Sequence, residues 1–147
     1  MSIATFTKEE VWDFATEWYK KLDIHAPMVE ILPMLADEEL EMEFPEGPSY
    51  GYAGFDAWYQ RVIRIFFDEV HTLKEVTPTS STEDTMNINV VVQWEASIWN
   101  PPEPKTARIK CDAYQRWVVK RSPDTGQPIV TQYIVDDLKY HEGSAIL

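Results

Sequence analysis

The residue with the clearest chemical potential in this sequence is Asp112, a carboxylate in the middle of a strand-like segment. Residues 108 to 119 alternate as a long β-strand does, and the only polar residue on the apolar face is Gln115. Alternation groups Asp112 with Arg108, Lys110 and Arg116, which is typical of a solvent-exposed face. If both faces of the sheet are covered, alternation loses this power, and Asp112 could be an acid inside a pocket. The sequence leaves both interpretations open.

Two other side chains could take part in proton chemistry. His71 stands where a period-two pattern begins, so it is either a proton carrier or a partly exposed side chain bound to backbone. Tyr19 lies on the apolar stripe of the first helix, the usual place of a core tyrosine with a satisfied hydroxyl. The 3 histidines have no metal-ligand spacing, and there is no Gly-rich phosphate loop or nucleophile elbow. We therefore expect neither a metal nor a cofactor.

Three helices are predicted in the first half of the chain. A capping box, Thr7-Lys8-Glu9-Glu10, predicts a helix from residue 8, and its apolar stripe continues to Leu22. Pro27 suits the first turn of a short second helix, in which Pro33 predicts a kink or an early end. A third helix is predicted to bury a wide apolar face rich in aromatic residues, which consists of Phe55, Trp58, Tyr59, Val62, Ile63 and Phe66.

Alternating patterns predict one short strand between the second and third helices and a run of long strands after the third. Leu40 to Phe44 is a half-buried strand, and further strands are expected near 71 to 78, 86 to 99, 107 to 120 and 128 to 139. Turn sequences between the later strands make them antiparallel hairpins. This order specifies an α+β fold with helices covering one face of a twisted sheet, in a single domain of residues 1–147. A concave pocket is expected between the two layers.

Composition excludes several classes of function. The net charge of -12 opposes binding to nucleic acid or to an anionic membrane. No apolar run approaches the roughly 18 residues of a membrane-spanning helix, and no signal-peptide pattern is seen, so we expect a cytoplasmic protein. The 6 Trp and 7 Tyr suit either an aromatic-lined pocket or a bulky core. Cys111, the only cysteine, suits a small buried hydrophobe better than a nucleophile.

The order of elements resembles the nuclear transport factor 2-like superfamily, which includes ketosteroid isomerase, scytalone dehydratase and the SnoaL-like polyketide cyclases. Three local patterns add to it: Leu35-Ala36-Asp37-Glu38, Phe44-Pro45-Glu46-Gly47 and Gly51-Tyr52-Ala53-Gly54-Phe55. The resemblance implies three N-terminal helices packed on a strongly curved, mostly antiparallel sheet that forms a cone. It also implies a homodimer that packs through the outer face of the sheet.

The resemblance assigns roles to the candidate residues. Tyr19 and Asp112 look like the oxyanion-hole pair of ketosteroid isomerase, in which the acid is held protonated by its apolar site. His71 is similar to the first of two pocket histidines of scytalone dehydratase, and Asp112 lies near the place of the second. The candidate catalytic residues are thus His71, Asp112 and Tyr19. The candidate ligand-pocket residues are Trp18, Trp58, Tyr59, Phe66 and Tyr114.

Two classes of function remain open. The first is a small-molecule-binding protein, SnoaL-like, that acts as a cofactor-independent isomerase, dehydratase or cyclase on an apolar cyclic ligand by general acid-base chemistry. The second is a non-catalytic binding or dimerisation module, or an accessory subunit of a larger enzyme, since one fold hosts many functions. Ketosteroid isomerase has its general base just before a Pro at the end of the first strand. Here Phe44 precedes Pro45, which disfavours isomerase chemistry and favours the second class.

Overall fold

The computed structural model of the protein describes residues 5–147. Within that range the helical elements are α1 (Lys8–Asp23), α2 (Met28–Ile31), α3 (Gly51–Ile65) and a 3-10 turn (Leu32–Met34). The strands are β1 (Glu41–Phe44), β2 (Gly47–Tyr50), β3 (Phe66–Ser81), β4 (Thr85–Ile98), β5 (Ala107–Arg121) and β6 (Pro128–Tyr140). The four long strands β3 to β6 therefore follow the helices, as the sequence predicted, and the short β1 and β2 lie between the 3-10 turn and α3.

The strands of the described chain form one mixed sheet in the order β2-β1-β6-β5-β4-β3. Only the β1–β6 pair within this sheet is parallel, and β3 to β6 form successive antiparallel pairs. Irregular pairing between Phe67 and Val70 and between Leu73 and Glu75 interrupts the β3–β4 ladder, and such bulges bend a strand and increase its twist. The predicted α+β fold of three helices on a curved, mostly antiparallel sheet is confirmed.

Two differences from the sequence prediction lie on either side of α3. The predicted third helix includes Phe66, but α3 ends at Ile65 and β3 begins at Phe66, which pairs with Ile98. Pairing with a distant strand outweighs the helical spacing of a single aromatic residue at a helix end. The sequence also left Gly47–Tyr50 as a loop, whereas these residues form the edge strand β2, where Pro48 is tolerated. The predicted early end at Pro33 is confirmed, since α2 stops at Ile31 and a 3-10 turn follows.

The start of α1 is only partly the predicted capping box. The Thr7 hydroxyl accepts a hydrogen bond from the Glu10 backbone N–H at 3.1 Å, as a helix cap should. The Glu10 carboxylate instead accepts from the guanidinium of Arg121 on β5, with Nη2 to Oε1 at 2.7 Å. This ion pair joins the first turn of the helix to the sheet. The apolar stripe of α1 is buried as predicted, and it comprises Val11, Phe14, Ala15, Trp18, Tyr19 and Leu22.

Candidate functional site

A cavity of about 110 Å³ lies between α3 and the inner face of the sheet. Its walls are mainly apolar, which suits an apolar ligand. The apolar lining comes from Leu22, Phe44, Pro45, Val62, Ile63, Phe66, Val92, Ala113, Val135 and Leu138, with Leu147 near the chain end. The polar and aromatic lining comes from Glu46, Trp58, Tyr59, Glu69, His71, Trp94, Gln115 and Tyr133.

His71 reaches this cavity from β3 in a fixed orientation. Its Nδ1 lies 2.6 Å from the Asp23 carboxylate, and its backbone N–H donates to the other oxygen of that carboxylate at 3.1 Å. Asp23 is the last residue of α1, so the end of the helix positions the imidazole. The Tyr19 ring stacks on the His71 ring, with centroids 4.7 Å apart.

The contact with Asp23 selects one tautomer of His71. A carboxylate only accepts hydrogen bonds, so Nδ1 carries the proton and Nε2 keeps a free lone pair. The same carboxylate stabilises the imidazolium that forms when Nε2 takes up a proton. The pair therefore has the arrangement of a general base and its orienting acid at the wall of an apolar cavity.

Gln115 is a second polar group of the cavity and belongs to a buried network. Its Oε1 accepts from the Tyr19 hydroxyl at 3.0 Å and from the Trp117 indole N–H at 2.8 Å. Two donors on one oxygen decide which way the amide points. Gln115 also lines the cavity, so its amide is one of the polar groups at the cavity wall.

Tyr19 and Tyr133 complete this network, with their hydroxyls 3.4 Å apart. Burial raises the pKa of Tyr19 well above its usual value, and the neighbouring Tyr133 adds to this effect. Burial also raises the pKa of Tyr133. Both hydroxyls therefore stay protonated near neutral pH and can act as hydrogen-bond donors. Tyr19 contacts the cavity residues His71 and Gln115 but does not line the cavity, whereas Tyr133 does.

Glu69 brings a carboxylate to the same cavity, and its side chain is only 9% exposed. One oxygen lies 2.8 Å from His25 Nε2, and the other accepts from the Trp94 indole N–H at 3.1 Å. Glu69 lies in the bulge of β3 between Phe67 and Val70, outside the regular ladder. The bulge thus turns an acidic side chain towards the cavity.

The sequence-predicted pocket residues fall into two groups. Trp58, Tyr59 and Phe66 line the cavity together with His71. Trp18 lies in the core instead, 1% exposed. Tyr114, the fifth of these aromatic residues, does not line the cavity either, because it lies on the opposite face of the sheet.

Asp112 and Tyr114 lie on the outer face of the sheet. His71 pairs with Trp94 and Trp94 pairs with Cys111, so these three residues share the inner face, and Asp112 points the other way. The Asp112 carboxylate accepts from Lys74 Nζ at 3.0 Å and lies 3.1 Å from His141 Nε2. The alternation pattern predicted this side. The expectation drawn from the resemblance, that Asp112 points into the cone beside His71 and Tyr19, is not met.

The ion pairs of Asp112 predict a dependence of stability on pH. Desolvation raises the pKa of this carboxyl, but hydrogen bonds and charges from Lys74 and His141 outweigh it and lower the pKa below its usual value. A lowered folded-state pKa stabilises the protein above the unfolded-state pKa of about 4, and that stability is lost as the pH falls through the folded-state pKa. Asp112→Asn should therefore cost roughly 0.5 to 1 kcal/mol at pH 7, and the cost should shrink below pH 4. Urea unfolding of both proteins between pH 7 and pH 3 measures this, and a cost independent of pH would contradict it.

Cys111 is buried next to this aspartate on β5. Burial, with a further contribution from the Asp112 charge, raises the pKa of its thiol to about 11, so the thiolate is scarce at neutral pH. No three His, Cys, Asp or Glu side chains converge as metal ligands among residues 5 to 147.

Sequence reasoning missed four of the polar residues at the site: Asp23, Glu69, Gln115 and Tyr133. Gln115 carried a signal, because it interrupts the apolar face of its strand. Asp23 and Glu69 carried none, because each looks like an ordinary charged residue at the end of an element. Their partners are 48 and 44 residues away in the sequence, so only the folded chain brings the pairs together.

Comparison with known proteins gives a likeness in structure but not in sequence. No family model matches this chain, and no curated protein sequence matches it at a significant level. A nuclear transport factor 2-like superfamily protein from Salmonella enterica superposes with a TM-score of 0.72 at 14% identity, covering 95% of this chain and 92% of the other. The chain therefore has the nuclear transport factor 2-like fold, as the sequence predicted.

Two more of these structural relatives carry the names of enzymes. A provisionally assigned scytalone dehydratase from Novosphingobium aromaticivorans has a TM-score of 0.70 at 13% identity, covering 95% of this chain and 88% of the other. The hexachlorocyclohexane dehydrochlorinase LinA-type3 from Novosphingobium barchaimii has a TM-score of 0.73 at 12% identity, covering 95% and 93%. At such identities the likeness shows the fold alone. None of the helices described in residues 5–147 is long and apolar enough to cross a membrane.

Proposed function

We propose that the protein is a cofactor-independent lyase or isomerase that removes a carbon-bound proton from an apolar cyclic ligand. The observation that carries this proposal is the His71–Asp23 pair at the wall of an apolar cavity. A general base needs a free lone pair in reach of the ligand, and His71 Nε2 has one once Nδ1 donates to Asp23. A base of this kind can remove a proton from the carbon next to a carbonyl group.

The proposed step uses two groups of the cavity. His71 Nε2 takes the proton, the electrons of the C–H bond form a C=C bond, and the carbonyl electrons move onto oxygen. The Gln115 amide donates a hydrogen bond to that oxygen as it becomes negative, which lowers the barrier. Asp23 stabilises the imidazolium that results.

The lining of the cavity supports an apolar, ring-shaped ligand. The Phe44 and Trp58 rings stack with centroids 3.9 Å apart and an interplanar angle of 3°. The Trp58 indole N–H donates to Glu46 at 2.7 Å, so the stacked pair is held in place at one side of the cavity. Flat aromatic walls of this kind favour a flat or cyclic hydrocarbon frame.

The structural relatives favour elimination among the reactions that begin with proton removal. A dehydratase and a dehydrochlorinase both remove a proton and a leaving group from neighbouring atoms, and both relatives share this fold. In this proposal the ligand of the present protein therefore carries a leaving group beside the acidic C–H bond. A non-catalytic binding module stays the alternative, and the absence of base-catalysed chemistry in the following experiment would favour it.

Deuterium exchange tests the proposal without knowledge of the natural substrate. In D2O the wild-type protein should accelerate the exchange of the acidic CH2 protons of 2-tetralone, followed by proton NMR. His71→Asn should reduce the accelerated rate by about 10² to 10⁴-fold, because the variant has no base. The matched control is His141→Asn, since His141 lies at Asp112 on the outer face. Equal rates for His71→Asn and wild type would contradict the proposal.

The homodimer belongs to this proposal as well. Val70 is 43% exposed and pairs with Glu95 on the outer face, and Phe67 is 38% exposed and pairs with Ser97 on the same face. A subunit interface would bury this apolar surface. Sedimentation equilibrium would test it, with a monomer mass as the contradicting result.

A further inference from the structure

We propose that Glu69 and His25 form a second proton-transfer pair of the cavity, in which Glu69 delivers a proton to an oxygen leaving group of the ligand. This inference rests on the proposed function and deepens it. It narrows the substrate class to cyclic ketones that carry a hydroxyl group β to the carbonyl.

The first step of the argument is the place of Glu69. A buried carboxyl group is costly unless hydrogen bonds compensate it, and acids and bases that line a cleft are candidates for a functional site. Here two partners from different elements hold the group: His25 Nε2 at 2.8 Å, where either partner can be the donor, and the Trp94 indole N–H, which donates at 3.1 Å. The Trp94 ring also stacks against His71, with centroids 6.5 Å apart, so one side chain contacts both titratable groups of the cavity.

The second step concerns which member of each pair, the carboxyl group or the imidazole, lines the cavity. In the first pair the His71 imidazole lines the cavity and the Asp23 carboxylate lies behind it. In the second pair the Glu69 carboxylate lines the cavity and the His25 imidazole lies behind it, 28% exposed to solvent. The first order suits a base that accepts a proton. The second connects the cavity to water through an imidazole, which suits a group that delivers a proton and is then reprotonated.

The third step is the backbone that holds the second pair. His25 follows the end of α1 with φ of 51°, and the bonds from His25 N to Leu22 O and from Ala26 N to Lys21 O close a Schellman motif. Glycine or asparagine is the usual residue at this left-handed position, because other side chains are strained there. Asp68, directly before Glu69, is also left-handed with φ of 51°. A left-handed residue therefore stands at His25 and another directly before Glu69, so the backbone turns at or beside each partner of this hydrogen bond.

The chemistry of the pair balances for elimination of water. After His71 takes the proton next to the carbonyl, the enolate electrons form the new C=C bond and the C–O bond breaks with its electron pair on oxygen. That oxygen takes the proton of Glu69 and leaves as water. Glu69 is reprotonated from solvent through His25, and His71 releases its proton to water. Chloride leaves without a proton, so Glu69 assists only the oxygen leaving group.

Two probes that yield the same product separate these cases. 3-Hydroxycyclohexanone and 3-chlorocyclohexanone both eliminate to cyclohexenone, which is followed by its ultraviolet absorbance. Glu69→Gln keeps the size of the side chain but has no proton to deliver. We expect it to lower kcat on the hydroxy ketone by about 10² or more and on the chloro ketone by less than about 3-fold. His71→Asn should lower both rates, and the matched control is Glu95→Gln, since Glu95 lies on the outer face of β4.

A second variant covers the case in which Glu69→Gln does not fold. His25→Asn keeps a residue that tolerates the left-handed turn and removes the imidazole. Its loss of activity on the hydroxy ketone should be restored by imidazole added to the buffer, which a purely structural role would not allow.

The outcomes separate this inference from the function on which it rests. Equal losses on both ketones, or none with Glu69→Gln, would overturn the role of Glu69. Activity of the wild type on 2-tetralone and on the chloro ketone, but not on the hydroxy ketone, would overturn the substrate class while the base chemistry stands. No activity on any of the three ketones would overturn both.

Discussion

Asp23→Asn is expected to lower the rate of proton abstraction by about 10² to 10⁴-fold while the protein stays folded. The Asp23 carboxylate accepts the Nδ1–H of His71 at 2.6 Å and the His71 backbone N–H at 3.1 Å. An asparagine amide can turn its NH2 group towards Nδ1, which favours the tautomer with the proton on Nε2. The lone pair that should face the ligand is then lost, and no carboxylate remains to stabilise the imidazolium.

The measurement is the exchange rate of 2-tetralone protons for the variant, for His71→Asn and for the double variant. Because the two residues act as one unit, the loss in the double variant should equal that of His71→Asn alone. Asp136→Asn is the matched control, since Asp136 pairs with Arg116 at 2.7 Å among exposed side chains. Losses that simply multiply, or a normal rate for Asp23→Asn, would contradict the coupling.

Trp18→Ala is expected to lower the free energy of unfolding by about 3 to 5 kcal/mol, as truncation of a large buried aromatic residue usually does. Trp18 is 1% exposed and joins both layers of the fold. The centroid of its ring lies 5.8 Å from that of Phe55 of α3, 6.5 Å from that of Trp117 of β5 and 5.8 Å from that of Tyr133 of β6. Truncation leaves a cavity that neighbours from three elements cannot fill without moving. A loss of this size is a large part of the 5 to 15 kcal/mol typical of a whole domain.

Urea unfolding followed by circular dichroism measures this effect. Trp12→Ala is the matched control, because Trp12 lies in the same helix but is 37% exposed and off the apolar stripe. It should change stability by no more than about 0.5 kcal/mol. If Trp18→Ala does not fold at all, Trp18→Phe should still be clearly less stable than Trp12→Phe. Equal losses at positions 12 and 18 would show that burial of Trp18 does not carry the expected energy.

The fold was predictable because its elements have strong periodic patterns. The predicted strand at 86 to 99 is β4 at Thr85–Ile98, and the helix predicted from residue 8 is α1 at Lys8–Asp23. Each pattern depends on residues close together in the sequence, so it can be read without the rest of the chain. β2 was missed because four residues with a central proline carry no alternating pattern, and they become a strand only by pairing with β1.

The site was predictable only in part. His71 and three aromatic residues of the cavity were named from the sequence as candidates. For Asp112 the sequence left open which face of the sheet it occupies. Strand pairing decided which face Asp112 occupies. Asp112 lies opposite Gln93 and Lys139, whereas His71 lies opposite Trp94 on the other face of the sheet. The general alternation of the strand was therefore a better guide to this residue than the analogy with pocket acids on the same fold.

Local periodicity alone determined the order and the length of most elements, the burial of the α1 stripe and the α+β class of the fold. The tertiary structure decided which side chains meet: His71 with Asp23, Glu69 with His25, and Gln115 with Tyr19, at separations of 48, 44 and 96 residues. The physical reason is that hydrogen bonds between distant residues leave no period in the sequence. They arise where a helix end, a strand bulge and a neighbouring strand converge on one cavity.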